Sequence, residues 1–191
     1  MPDFPYPTRL HLPMISTFSR ESMSGLNGTY PFGSQNVPNN SVAWPVANTA
    51  IFVPFVIWSN YLVQTVWWGN GSTANGNVDC GVFSHDAQSL LFNAGTTAQS
   101  GTQAIQTVAL SSSVLLAPGY YYMALVGSSL TGTFLCSNNQ TYETYALQAW
   151  GCAQMASAGP PLASGATLVS CTSFNEIFPM FGFSNKASAL V

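Results

Sequence analysis

A chain of 191 residues has the size of one ordinary domain with a sizeable core and room for an ordered arm, and two full domains are not expected in it. Charged residues make up only 5% of it, against about 25% in a typical soluble domain, while the hydrophobic share of 47% is ordinary. So little charge marks a subunit whose surface is covered by other chains, and the absence of Lys and Arg between Glu21 and Lys186 excludes a phosphate-neutralising patch and a nucleic acid partner.

Residues 1–45 read as an extended docking arm. Pro2, Pro5, Pro7, Pro13, Pro31, Pro38 and Pro45 forbid helix and interrupt ladders, so the segment has no fold of its own. It is nonetheless rich in aromatics, and such a segment gains stability by lying on another surface. Its expected interface contacts are Tyr6, Arg9, Phe18, Arg20, Tyr30, Phe32 and Trp44, with the arginines as directional ion-pairing groups. The first residues carry Asp3 and early prolines without an apolar run, which is not a secretory leader, so the chain is expected to stay in the cytosol until it assembles.

Residues 46–191 read as a β-sandwich domain. Ala50–Ser59 and Tyr61–Trp68 are β-rich, the first interrupted by Pro54, with a break at Ser59-Asn60. The longest apolar run, Ala50–Trp58, is far below the about 20 residues of a membrane helix, so no membrane is expected. In Asn77–Phe83, Val78, Cys80 and Val82 share one face and Asp79, Gly81 and Phe83 the other, giving a buried strand with one acid. A turn at His85–Gln88, a short strand at Ser89–Phe92, a loop over 93–103 and a strand at Ile105–Leu110 follow.

After the Pro118-Gly119 turn, Tyr120, Tyr122, Ala124 and Val126 project to one side and Tyr121, Met123 and Leu125 to the other. A strand apolar on both faces belongs in the middle of a packed structure. Val78, Cys80, Val82, Val108, Leu110, Tyr122, Ala124 and Leu125 are the expected core. A short strand at Thr131–Cys136, a short helix or irregular excursion at 143–156, a loop at Gly159–Gly165 and a last strand within Ile177–Phe183, at an edge or bulge because of Pro179, complete the pattern. The fold class is all-β, a single sandwich of jelly-roll or Greek-key type.

The residues offer little chemistry. Asp79 and Asp86 lie on a strand and a turn with nothing to fix the separation that a glycosidase pair requires. His85-Asp86 lacks a GxSxG elbow, and the only histidines, His11 and His85, would need distant cysteines to hold a metal. No catalytic residue, metal or cofactor is expected. Cys80, Cys136, Cys152 and Cys171 are too widely spaced for a zinc module and too few for a disulfide scaffold, so buried reduced thiols are expected. The sequons at Asn27, Asn70 and Asn139 arise easily by chance in a chain this rich in Asn, Ser and Thr. Trp44, Trp58, Trp67, Trp68 and Trp150 form core or subunit interface unless an exposed cluster of them offers a sugar-stacking platform.

Over Gly76–Ser129 the chain resembles a β-sandwich module of tailed-bacteriophage virion proteins: the strand Asn77–Ser84, the small-residue loop Thr97–Thr102, the strand Ile105–Leu110 and the stretch Leu116–Leu125 occur in the same order. Cys80 stands where that pattern has an aliphatic residue, and Phe83 where it has Tyr. The resemblance implies a non-enzymatic structural protein of the virion, assembled in the host cytoplasm. The expected role is a capsid cement or decoration protein whose arm laces across the major capsid protein and copies of itself, as a dimer or trimer. The alternative is a tail fibre, baseplate or receptor-binding subunit that contacts host glycan. The absence of repeats and heptads, which a trimeric shaft would require, favours the capsid.

Overall fold

Apolar side chains at period two give a strand a face that must be buried, and here two sheets bury such faces against each other. The computed structural model describes residues 26–28, 40–138, 151–174 and 177–185, and among them there is no helix. The first sheet holds β1 (Leu26–Gly28), β2 (Asn40–Ala43), β4 (Tyr61–Asn70), β8 (Ala104–Leu116), β10 (Thr133–Asn138), β13 (Ile177–Pro179) and β14 (Phe181–Ser184). The second holds β3 (Ala50–Ile57), β5 (Asn77–Ser84), β6 (Leu90–Asn93), β7 (Thr97–Ala98), β9 (Gly119–Gly127), β11 (Ala153–Met155) and β12 (Val169–Ser170). All pairings are antiparallel, as in a β-sandwich.

The core between the sheets takes Val63, Val66, Trp68, Phe134, Phe181 and Phe183 from the first and Ile51, Phe55, Val78, Cys80, Val82, Met123 and Leu125 from the second. The expected alternation of β9 is observed. Tyr121, Met123 and Leu125 face the first sheet, while Tyr122, Ala124 and Val126 join Phe52, Phe83, Ala158, Leu162 and Ala166 in a second cluster. Segment 156–168 therefore roofs the outer face of the second sheet, which is why β9 is apolar on both sides. The expected loop at Gly159–Gly165 lies in this roof.

Several expectations are corrected. The sandwich begins before residue 46: β1 pairs with β14, β2 pairs with β10, and Trp44 is buried in the core. Pro54 does not interrupt β3; β11 pairs only with Ala50–Phe52, so at Pro54 the strand has a ladder on the β9 side alone and a missing N–H is tolerated. The strand expected to end at Leu110 continues to Leu116, with its register against β4 shifting between Val63 and Thr65. Val108 and Leu110 pack on the core but stay half-buried, because among the described strands β8 pairs with β4 alone. Tyr122 is likewise half-buried, at the rim of the roofed face.

The last strand divides around Met180, whose N–H donates to Leu135 while its carbonyl accepts from Gly69. β13 pairs with β10 on one side of this point and β14 with β4 on the other. The 143–150 part of the expected helix lies outside the described residues; from Gly151 the chain is a turn followed by β11.

Candidate functional site

Trp44 is the one expected arm contact among the described residues; Tyr6, Arg9, Phe18, Arg20, Tyr30 and Phe32 lie outside them. Its indole packs on Phe134 and Phe174 at centroid distances of 4.8 and 5.1 Å, and its Nε1–H donates to Thr49 O at 3.0 Å. A Cβ at Gly127 would stand 3.2 Å from Trp44 Cγ, so the glycine makes room for the ring. Trp44 is thus a core residue and cannot anchor an arm on a neighbour.

The two acids weighed as a catalytic pair serve structure. Asp79 is buried, and its Oδ2 accepts from the Leu162 N–H at 2.8 Å and from the Asn93 amide, fastening the roof to β5. Burial pushes its carboxyl up from the ordinary value, against the lowering effect of these hydrogen bonds. Asp86 is exposed and closes its own turn, accepting from the Ser84 hydroxyl and from the Gln88 N–H at 3.0 Å; the Ser84 bond foremost holds its pKa down. Burial raises the Cys80 thiol well above its ordinary range, with the Asp79 charge second. The Asn70 amide is buried and donates to Ser100 O and to Gln106 Oε1 at 2.9 Å, so that sequon is closed to modification in the folded chain.

The two ends of the sandwich differ. At one, the crossings 71–76 and 128–132 are tied by polar bonds: the Gly71 N–H donates to Thr133 O, the Thr133 N–H to Thr73 O, and the Asn77 N–H to Ser128 Oγ, each at 2.8 Å. At the other, the chain crosses between sheets at 58–60 and at Ala117-Pro118, where the Tyr121 hydroxyl donates to Ala117 O at 2.8 Å. Four large apolar side chains stand exposed beside these crossings: Trp58 at 76%, Tyr120 at 66%, Leu115 at 61% and Leu62 at 44%. Leu62 and Leu115 are cross-strand partners on β4 and β8; Tyr120 opposes Val56 on β9 and β3, two residues from Trp58.

Ser84 opposes Tyr121, so the His85–Asp86 turn borders this end, with the Asp86 carboxylate engaged in its own turn; the exposed cluster itself can bury apolar surface or stack on a flat partner. Sequence reading had Trp58 among the aromatics of interest but missed Leu62 and Leu115, since a leucine in a strand reads as core by default. Trp67 and Trp68 are buried, and Trp150 lies outside the described residues. No protein-family model, curated protein or solved structure matches this chain.

Proposed function

We propose that the chain is a non-enzymatic structural subunit of a larger assembly, in its specific form a capsid cement or decoration protein of a tailed bacteriophage. The observation that carries this reading is the apolar end with Trp58, Leu62, Leu115 and Tyr120 exposed, on a chain with only three basic and six acidic residues. Exposed aromatic and leucine side chains gathered at one end mark a surface that another protein covers. In this reading that end seats on the major capsid protein or on a second copy, and the residues before β1 extend the contact.

The test is binding of the purified chain to particles that lack it. Trp58→Ser combined with Leu115→Ser is expected to abolish decoration while the variant keeps the wild-type circular dichroism spectrum; undiminished decoration would refute the seating of this end. A second reading, a tail or receptor-binding subunit, is favoured by one feature, the exposed Trp58 and Tyr120 beside Asn60. Under that reading the wild-type protein, and not Trp58→Ser, binds surface polysaccharide of the host.

A further inference from the structure

We propose that Cys152 and Cys171 are a site of reversible oxidation, closing a disulfide across the β11–β12 margin of the second sheet. The ladder pairs Ala153 with Ser170 and Gln154 with Val169, so one step further Cys152 stands opposite Cys171. Directly opposed residues of an antiparallel pair have Cα atoms about 4.5–5.5 Å apart, within the window of about 4.4–6.8 Å that a disulfide spans. Ala153 belongs to the roofed outer cluster, whereas Cys152 and Cys171 both belong to the core between the sheets, so the two thiols lie on the same side of the ladder.

The Gln154 side chain holds the arrangement. Its Oε1 accepts from the N–H groups of Thr172 and Ser173 at 2.9 and 2.7 Å, and its Nε2 donates to the Ser173 hydroxyl at 3.1 Å, clasping the turn that follows Cys171. Cys80 and Cys136 lie on β5 and β10, outside the β11–β12 ladder.

Both thiols are buried, so reaction proceeds when the margin opens. β12 has two residues, both exposed, and among the described strands pairs with β11 alone, which makes it one of the easiest segments of the sandwich to release. Burial pushes the Cys171 thiol up to about 11, with the Phe174 N–H opposing the rise; Cys152 is pushed higher, by burial first and by Cys171 second. Cys171 directly follows β12, the segment that is released, and its thiol is the less strongly raised of the two, so it is the first nucleophile.

The oxidant is a small-molecule disulfide. The Cys171 thiolate attacks one of its sulfurs and expels a small thiolate, which takes up the proton that Cys171 released. The Cys152 thiolate then attacks the Cys171 sulfur of the mixed disulfide and expels the second small thiolate, which is protonated in turn. Two protein thiols are oxidised, and one small disulfide is reduced to two thiols.

The experiment incubates the full chain with glutathione disulfide, blocks remaining thiols, and maps peptides by mass spectrometry without reduction. The expected result is one linked species joining Cys152 to Cys171, with loss of thiol labelling at those two positions, retained labelling at Cys80 and Cys136, and reversal by dithiothreitol. In Cys152→Ser, Cys171 is expected to stop at the mixed disulfide with glutathione. Amide exchange over 153–170 in the wild-type protein should slow on oxidation. Full labelling of all four cysteines, a bridge involving Cys80 or Cys136, or unchanged exchange in the oxidised protein would each overturn the proposal.

Discussion

At Asp79 a charge-bearing group is kept without exposure and works as a fastener. Its carboxyl holds the proton more tightly in the folded protein than in the unfolded chain, where 3.8 applies. Between that value and the raised one the folded state binds more protons, so stability falls as pH rises through the interval and levels off above it. Asp79→Asn keeps an oxygen for the Leu162 N–H and removes the titration; urea unfolding between about pH 3.5 and 7 is expected to lose this component of the pH slope. Asp79→Ala leaves the Leu162 N–H buried without its acceptor and is expected to cost about 1–3 kcal/mol at any pH. At Gly81, on the same face of β5, a Cβ would stand 2.7 Å from Phe92 O and 2.8 Å from Asn93 Cβ. A backbone oxygen cannot step aside cheaply, so Gly81→Ala is expected to lower stability by about 1–3 kcal/mol in the same assay.

Among the elements, β2 and the Trp44 that follows it decide where an arm can be cut. Removing residues 1–25 spares every described strand, and the truncated protein is expected to unfold at a denaturant midpoint close to that of the full chain. Removing residues 1–45 takes β1, β2 and the Trp44 ring, whose loss alone costs about 3–5 kcal/mol by analogy with other buried aromatics. That variant is expected to lose its cooperative transition or shift it sharply downward. Trp58→Ser and Leu115→Ser, by contrast, change exposed positions and should move stability by no more than about 0.5 kcal/mol.

The central strands were legible in the sequence because each of their positions answers to one rule, alternation between two buried faces, and Val78 to Phe83 and Tyr121 to Val126 obey it. Trp44 was not, since prolines on both sides read as an arm and only a distant partner, Phe134, reveals the pocket. The apolar end was half legible. Trp58 beside a break is conspicuous, but the outward direction of Leu62 and Leu115 depends on the β4–β8 register, which spans more than fifty residues and leaves no local trace.

Across the whole molecule the first sheet is assembled from both extremes of the described chain. β4 is flanked along Thr65–Trp68 by Phe181–Ser184, and β14 in turn receives Leu26–Gly28. A polypeptide emerges from the ribosome in one direction, so Trp67 and Val66 are made long before the strand that shields them. Until then that flank of β4 presents unpaired amides and apolar rings to whatever is near, including other nascent copies. Chains halted before Phe181 are expected to accumulate as insoluble or chaperone-bound species even though the second sheet is already encoded in full. Emergence of β14, more than any local nucleation step, is then the event that commits this protein to its native form.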